Sequence, residues 1–145
     1  MNEALAEGLE VPAEVLADLQ ARGVRGYPRE VCGLLIGERR AGPWRVAFAT
    51  EGANLAAQEI RGERFVLDPA HCLEAMKRAA GRGLEVIGVW HTHPDQPAEP
   101  SPLDRENAWD RFVTVIVPTS ARGAGRPRAF VLKAGRFVES ALEVA

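Results

Sequence analysis

Apolar positions recur along the chain in two rhythms, one helical and one strand-like. Val15, Leu16 and Leu19 fall on one helical face, Pro12 suits the first helical position, and Gly23 and Gly26 mark the helix end. Residues 1–10 carry no rhythm and read as a loose lead-in. Val31–Ile36 is an apolar run too short for a typical helix, so a buried strand is expected. Gly42-Pro43 marks a turn, and Trp44–Thr50 alternates as a strand returning beside the first. Gly52–Gly62 is weakly periodic and reads as loop; Phe65–Leu67 reads as a short strand. Asp68 as N-cap and Pro69 at the first position open a second helix. Leu73, Met76 and Ala80 form its expected apolar stripe, and Gly81 and Gly83 its stop. Val86–Trp90 is a second buried strand that runs directly into His91. Pro94, Pro97, Pro100 and Pro102 make residues 94–102 an ordered loop without ladder bonding of its own. Ser101–Asp104 starts a short helix to about Asp110. Phe112–Val117 is a strand, and Ala129–Lys133 pairs with Arg136–Leu142 about Ala134-Gly135. Helices and strands interspersed in this way, with meandering terminal strands, predict an α/β (α+β) fold, a mixed-sheet sandwich.

Composition narrows the functional classes. The 145 residues suit a single domain, 1–145, and 18 Lys+Arg against 20 Asp+Glu leave a net charge of −2. That balance argues against nucleic acid as a partner, which asks for a concentrated basic surface. The one basic cluster, Arg122, Arg126 and Arg128, lies among glycines and reads as a solvated loop. Two cysteines, Cys32 and Cys72, are too few for a secreted disulfide scaffold and fit a reducing, cytoplasmic setting. The acidic N-terminus lacks the features of a signal peptide, and no apolar run approaches the ~20 residues of a membrane span. No membrane role is expected.

The chemistry concentrates in Trp90-His91-Thr92-His93 and, seven residues on, Ser101-Pro102-Leu103-Asp104. Histidines at i and i+2 at a strand end project to the same face, near enough to share one metal ion. An aspartate in the first turn of the next helix can complete a three-ligand set. Zinc held by three protein groups keeps a fourth position for water, which is the catalytic arrangement. A His-x-His pair at a strand end can equally be a surface pair. Ser101 with Asp104 also fits a helix-capping pattern, and the cap and the ligand role are compatible.

Glu30 sits immediately before the first apolar strand, where a carboxylate is costly unless paired or functional. Partial desolvation would raise its pKa toward that of a metal-activated water, the property a proton shuttle needs. The bland alternative is a solvent-facing residue at the strand edge. Cys32 reads as core packing, and His71 and Cys72, adjacent on a helix, as structural. Trp90, Trp109 and Phe112 read as core aromatics.

Taken together, Glu30, the Cys32–Gly37 strand, His91-Thr92-His93-Pro94 and Ser101-x-x-Asp104 resemble the JAMM/MPN+ (JAB domain) zinc metalloproteases in their compact bacterial form. The resemblance covers about Val11 to Val138. It implies a single-domain curved mixed β-sheet flanked by helices, similar to that of cytidine deaminases. It further implies that His91, His93 and Asp104 bind Zn²⁺, that Glu30 is the general acid/base, and that Ser101 donates to the oxyanion. Thr92 stands where serine is commoner, and its side chain should point away from the metal. The implied reaction is hydrolysis of the peptide or isopeptide bond after the C-terminal Gly-Gly of a small ubiquitin-like sulfur carrier, or of its conjugates. Asn54 is a further candidate substrate contact on the same basis. A monomer or homodimer is expected. The competing readings are a family peptidase or amidase on another substrate, such as cell-wall peptide, and a non-catalytic MPN interaction module. A zinc base deaminase would want H-x-E and a later P-C-x-x-C, and neither occurs.

Overall fold

The structure, a computed structural model, describes residues 5–52, 68–102, 104 and 111–145. The elements run β1 (Leu9–Val11), α1 (Ala13–Gly26), β2 (Cys32–Glu38), β3 (Trp44–Ala49), α2 (Pro69–Gly81), β4 (Glu85–Pro94), β5 (Val113–Ser120), β6 (Gly123–Ala124), β7 (Arg128–Lys133), β8 (Arg136–Ser140) and β9 (Leu142–Val144). The strands form one mixed sheet in the order β8-β7-β5-β4-β2-β3-β1-β9, with β6 on β5. The two ends of that order, β8 and β9, are separated in sequence only by Ala141. The sheet must therefore curl until its ends meet, and the Leu9 N–H donates to the Ala141 carbonyl at 2.8 Å at that junction.

Each face of the curled sheet carries its own apolar cluster. Val15 and Leu19 of α1 pack with Leu9, Leu35, Val46, Val113, Val115 and Val131. On the opposite face Ala75 and Ala79 of α2 pack with Leu34, Ile36 and Val89. Consecutive residues of β2 thus alternate between the helices, as strand geometry requires. The β2–β4 register shifts between Leu35, opposite Gly88, and Ile36, opposite Val86, so Ile87 is the extra residue of a β-bulge. Beyond the bulge Val89, His91 and His93 share the α2 face, whereas Trp90 and Thr92 turn toward α1.

Several expected boundaries move. Leu9–Val11 form β1, paired in parallel with both β3 and β9, although residues 1–10 are expected as lead-in and the helical pattern to begin at Val11. A three-residue strand is too short to show periodicity, and its partners are remote in sequence. Gly23 does not end α1 but lies buried inside it. A Cβ there would stand 2.9 Å from Thr119 Cγ2 and 3.0 Å from Thr92 Cγ2, so the glycine is a close-approach site. The stripe expected on α2 is also corrected: Leu73 and Met76 are exposed, and the smaller Ala75 and Ala79 face the sheet. The small residues let the helix lie close to β2 and β4. The last strand breaks at Ala141 instead of running to Leu142. Arg128 leaves the expected solvated loop for β7, where it holds Glu139 through two bonds of 2.9 and 2.7 Å. Asp68 caps α2 as expected, accepting from the Ala70 N–H at 3.0 Å. Pro102 and Asp104 are helical, as expected for the short helix. The remainder of that helix with Trp109, the strand at 65–67, the loop at 53–62 and Asn54 lie outside the described residues.

Candidate active site

Two adjacent strands bring the expected residues together. Cys32 of β2 lies opposite His91 of β4. One step further, the Val31 N–H donates to Thr92 Oγ1 at 2.8 Å and the Thr92 N–H to the Val31 carbonyl at 2.9 Å. Glu30, the residue before Val31, is thereby brought to within 4.8 Å of the histidine ligand atoms. The Thr92 hydroxyl thus faces away from the imidazoles, as expected, and joins the segment bearing Glu30 to the strand bearing the histidines. Asp104 enters from the helical turn after the proline loop.

That turn is held by a reciprocal cap. Asp104 N–H donates to Ser101 Oγ at 3.1 Å, and Ser101 N–H donates to Asp104 Oδ2 at 2.8 Å. The cap aims the carboxylate inward: Oδ1 lies 3.1 Å from His91 Nε2 and Oδ2 lies 2.9 Å from His93 Nε2. The two Nε2 atoms are 3.3 Å apart. One ligand atom from each of Glu30, His91, His93 and Asp104 lies within 4.8 Å of all the others, and all four residues are buried. Donor atoms bound to one tetrahedral zinc at about 2.0–2.1 Å stand about 3.3–3.4 Å apart, close to the spacing found here.

Electrostatics favour a cation at this point. His93 Nδ1 is 2.9 Å from the Pro97 carbonyl, which can only accept, so Nδ1 carries a proton and Nε2 is the ring nitrogen that faces the cluster. Burial opposes ionisation of Asp104, yet the two histidines and the Ser101 N–H hold its carboxyl well below the usual range. Burial likewise opposes charge on His93, but its bonds to Asp104 and Pro97 prevail and raise it. Burial lowers His91 and dominates there, favouring a neutral ring. Glu30 is pushed up to about 8, chiefly by burial and further by Asp104, against the pull of His93. The result is an ionised carboxylate, two imidazoles facing one point and a carboxyl poised near neutral pH.

The surrounding residues are mostly structural, as expected. Cys32 is fully buried and burial pushes its thiol up to about 12. Both cysteines are free. Trp90 Nε1–H donates to the Thr50 carbonyl at 2.7 Å, an approach that Gly33 permits because a Cβ there would stand 1.8 Å from that oxygen. His71 Nε2 lies 2.8 Å from Thr50 Oγ1, which ties α2 to this network. Sequence reasoning missed Thr50 and Pro97. A buried threonine and a backbone carbonyl leave no motif that could have pointed to them.

Fold and site define a class: a curved mixed-sheet domain with a buried two-histidine, two-carboxylate centre able to hold a metal ion. The chain belongs to the family of prokaryotic homologs of the JAB domain, which it matches over residues 12–133. It is similar to a probable TtuB-protein conjugate cleaving protease of Thermus thermophilus, with 32% identity over 130 residues, 90% of this chain and 80% of that one. A desampylase of Haloferax volcanii is 32% identical over 96 residues, 66% of each chain. Among solved structures, a protein from Desulfitobacterium hafniense superposes with a TM-score of 0.82 at 26% identity, covering 94% of this chain and 92% of that one.

Proposed function

We propose that this protein is a zinc-dependent peptidase or isopeptidase that cleaves after the C-terminal Gly-Gly of a small ubiquitin-like sulfur-carrier protein or its conjugates. The observation that carries the chemistry is the convergence of Glu30, His91, His93 and Asp104 within 4.8 Å in a buried centre. The named activities of the Thermus and Haloferax relatives support the substrate class.

His91, His93 and Asp104 would hold Zn²⁺. Bound there, zinc supplies a Lewis acid that polarises a carbonyl and brings the pKa of a water to about 7. Glu30, buried beside the ligands, moves the proton, taking it at a carboxylate oxygen from the attacking water and giving it to the leaving amine. Ser101 Oγ accepts from the Asp104 N–H, which orients its own O–H to donate to the carbonyl oxygen as charge develops. A cytoplasmic monomer or homodimer acting on protein substrates, away from nucleic acid and membranes, fits the near-neutral charge and the free thiols. Among the described residues no helix is long and apolar enough to cross a membrane.

The test is mass spectrometry of a bacterial ubiquitin-like sulfur carrier extended beyond its Gly-Gly, incubated with zinc-loaded protein. Release of the extension after the second glycine is expected from wild type and not from Glu30→Gln. An intact substrate with zinc confirmed in the sample would refute the substrate class.

A further inference from the structure

The expected proline loop begins one residue later than Pro94, which still pairs with Thr119 as the last residue of β4. The loop from Asp95 to Pro100 lies outside the ladder, yet it supplies the Pro97 carbonyl that orients the His93 ring. Its first residue, Asp95, adopts φ 56°, a left-handed conformation that aspartate tolerates better than most residues, and two interactions hold it in place. The Asp95 N–H donates to the Thr119 carbonyl at 2.7 Å, and the Tyr27 hydroxyl lies 2.8 Å from each oxygen of the Asp95 carboxylate. Tyr27 is itself fixed, because its N–H donates to the Gly23 carbonyl at 3.0 Å where α1 rests against Thr92 and Thr119. Its hydroxyl is therefore referenced to the end of β4, which carries both histidines, and to its neighbour β5.

We propose that Tyr27 is a positioning residue of the metal centre: its hydrogen bond to Asp95 clamps the 95–97 turn so that the Pro97 carbonyl keeps His93 Nε2 aimed at the ligand cluster. The inference rests on the zinc centre proposed above. Though it lies at the surface, the bond is charge-assisted and short, the kind that specifies geometry. Groups bonded directly to a metal-ligating histidine set metal affinity by about 10–100-fold, so a clamp one step further out should act more weakly, by about 3–10-fold.

The test is zinc affinity by chelator competition, with the melting temperature of the metal-free protein and the kinetics of the loaded enzyme measured in parallel. Tyr27→Phe removes one hydroxyl at the surface and should fold normally. It and Asp95→Ala should each weaken zinc binding by about 3–10-fold and lower kcat with little change in KM or metal-free melting. Asp95→Asn keeps an acceptor for the hydroxyl and should stay within about 2-fold of wild type. The double variant Tyr27→Phe/Asp95→Ala should be no weaker than either single one, because both break the same bond. Unchanged zinc affinity in Tyr27→Phe, or additive losses in the double variant, would overturn the clamp while leaving the centre intact. A wild-type protein that takes up no zinc would overturn both.

Discussion

At the scale of single residues, the centre combines groups whose environments push their proton affinities apart. Asp104 stays ionised under the pull of two imidazoles and a backbone N–H, whereas burial raises Glu30 toward neutrality. These opposite shifts give the metal-free protein a signed dependence on pH. A depressed carboxyl such as Asp104 stabilises the fold above its ordinary pKa, and that contribution is lost as pH falls. A raised carboxyl does the reverse. Between about 4.5 and about 8 the folded state holds the Glu30 proton that the unfolded state has released, so stability declines as pH rises through that window. Metal-free Glu30→Gln should therefore be more stable than wild type by on the order of 4 kcal/mol at pH 8, with the gap closing toward pH 4.5, as urea titrations at several pH values would record. With metal present, Glu30→Gln should keep zinc and lose turnover, while His91→Ala should lose the metal, by elemental analysis of the purified proteins. Cys32, buried with a raised thiol, should resist iodoacetamide in the native protein, whereas the half-buried Cys72 should react first by peptide mapping. His91, His93 and Asp104 stand out in the sequence because their residue types recur at a spacing suited to one metal ion, and Glu30 because a carboxylate before an apolar strand is costly. Thr50 and Pro97 do not, because a backbone carbonyl can come from any residue.

At the scale of elements, strand alternation and one antiparallel register explain how positions more than sixty apart in sequence meet. The β2–β4 pairing sets Cys32 against His91, and the Thr92 hydroxyl holds Val31, which brings the preceding Glu30 to the two histidines. The apolar runs of β2 and β4 were visible as strands for the same reason that they are buried on both faces. The α2 stripe was misread because hydrophobicity favours Leu73 and Met76, whereas close packing of a helix on a sheet favours Ala75 and Ala79. Gly23 was misread as a stop because a glycine needed for close approach looks the same in sequence as one needed for a turn. Gly23→Ala would press a methyl onto Thr92 and Thr119, and should cost about 1–3 kcal/mol in denaturant titration. A neutral Gly23→Ala would show that α1 can lift off the strand ends without penalty.

At the scale of the whole molecule, Ala141 joins the two ends of the sheet, so that β9 covers the β1 edge. This closure was illegible in the sequence, since both short strands pair only with remote partners. The centre sits on β4 in the middle of the strand order, far along the sheet from that junction. Truncation after Ala141 should therefore lower stability by about 1–3 kcal/mol, from lost ladder bonds and the partly buried Leu142, in thermal and urea unfolding. The truncated protein should still bind one zinc. Loss of zinc together with stability would mean that closure and centre are coupled.

The proposed chemistry depends on which atoms hold the metal, and Cys32 directly opposite His91 supplies the natural rival donor. Zinc K-edge X-ray absorption on the purified, zinc-loaded protein distinguishes them. The account predicts a shell of nitrogen and oxygen alone at about 2.0–2.1 Å, with the multiple scattering of two imidazoles. A sulfur contribution near about 2.3 Å, or a shell without imidazole, would contradict it.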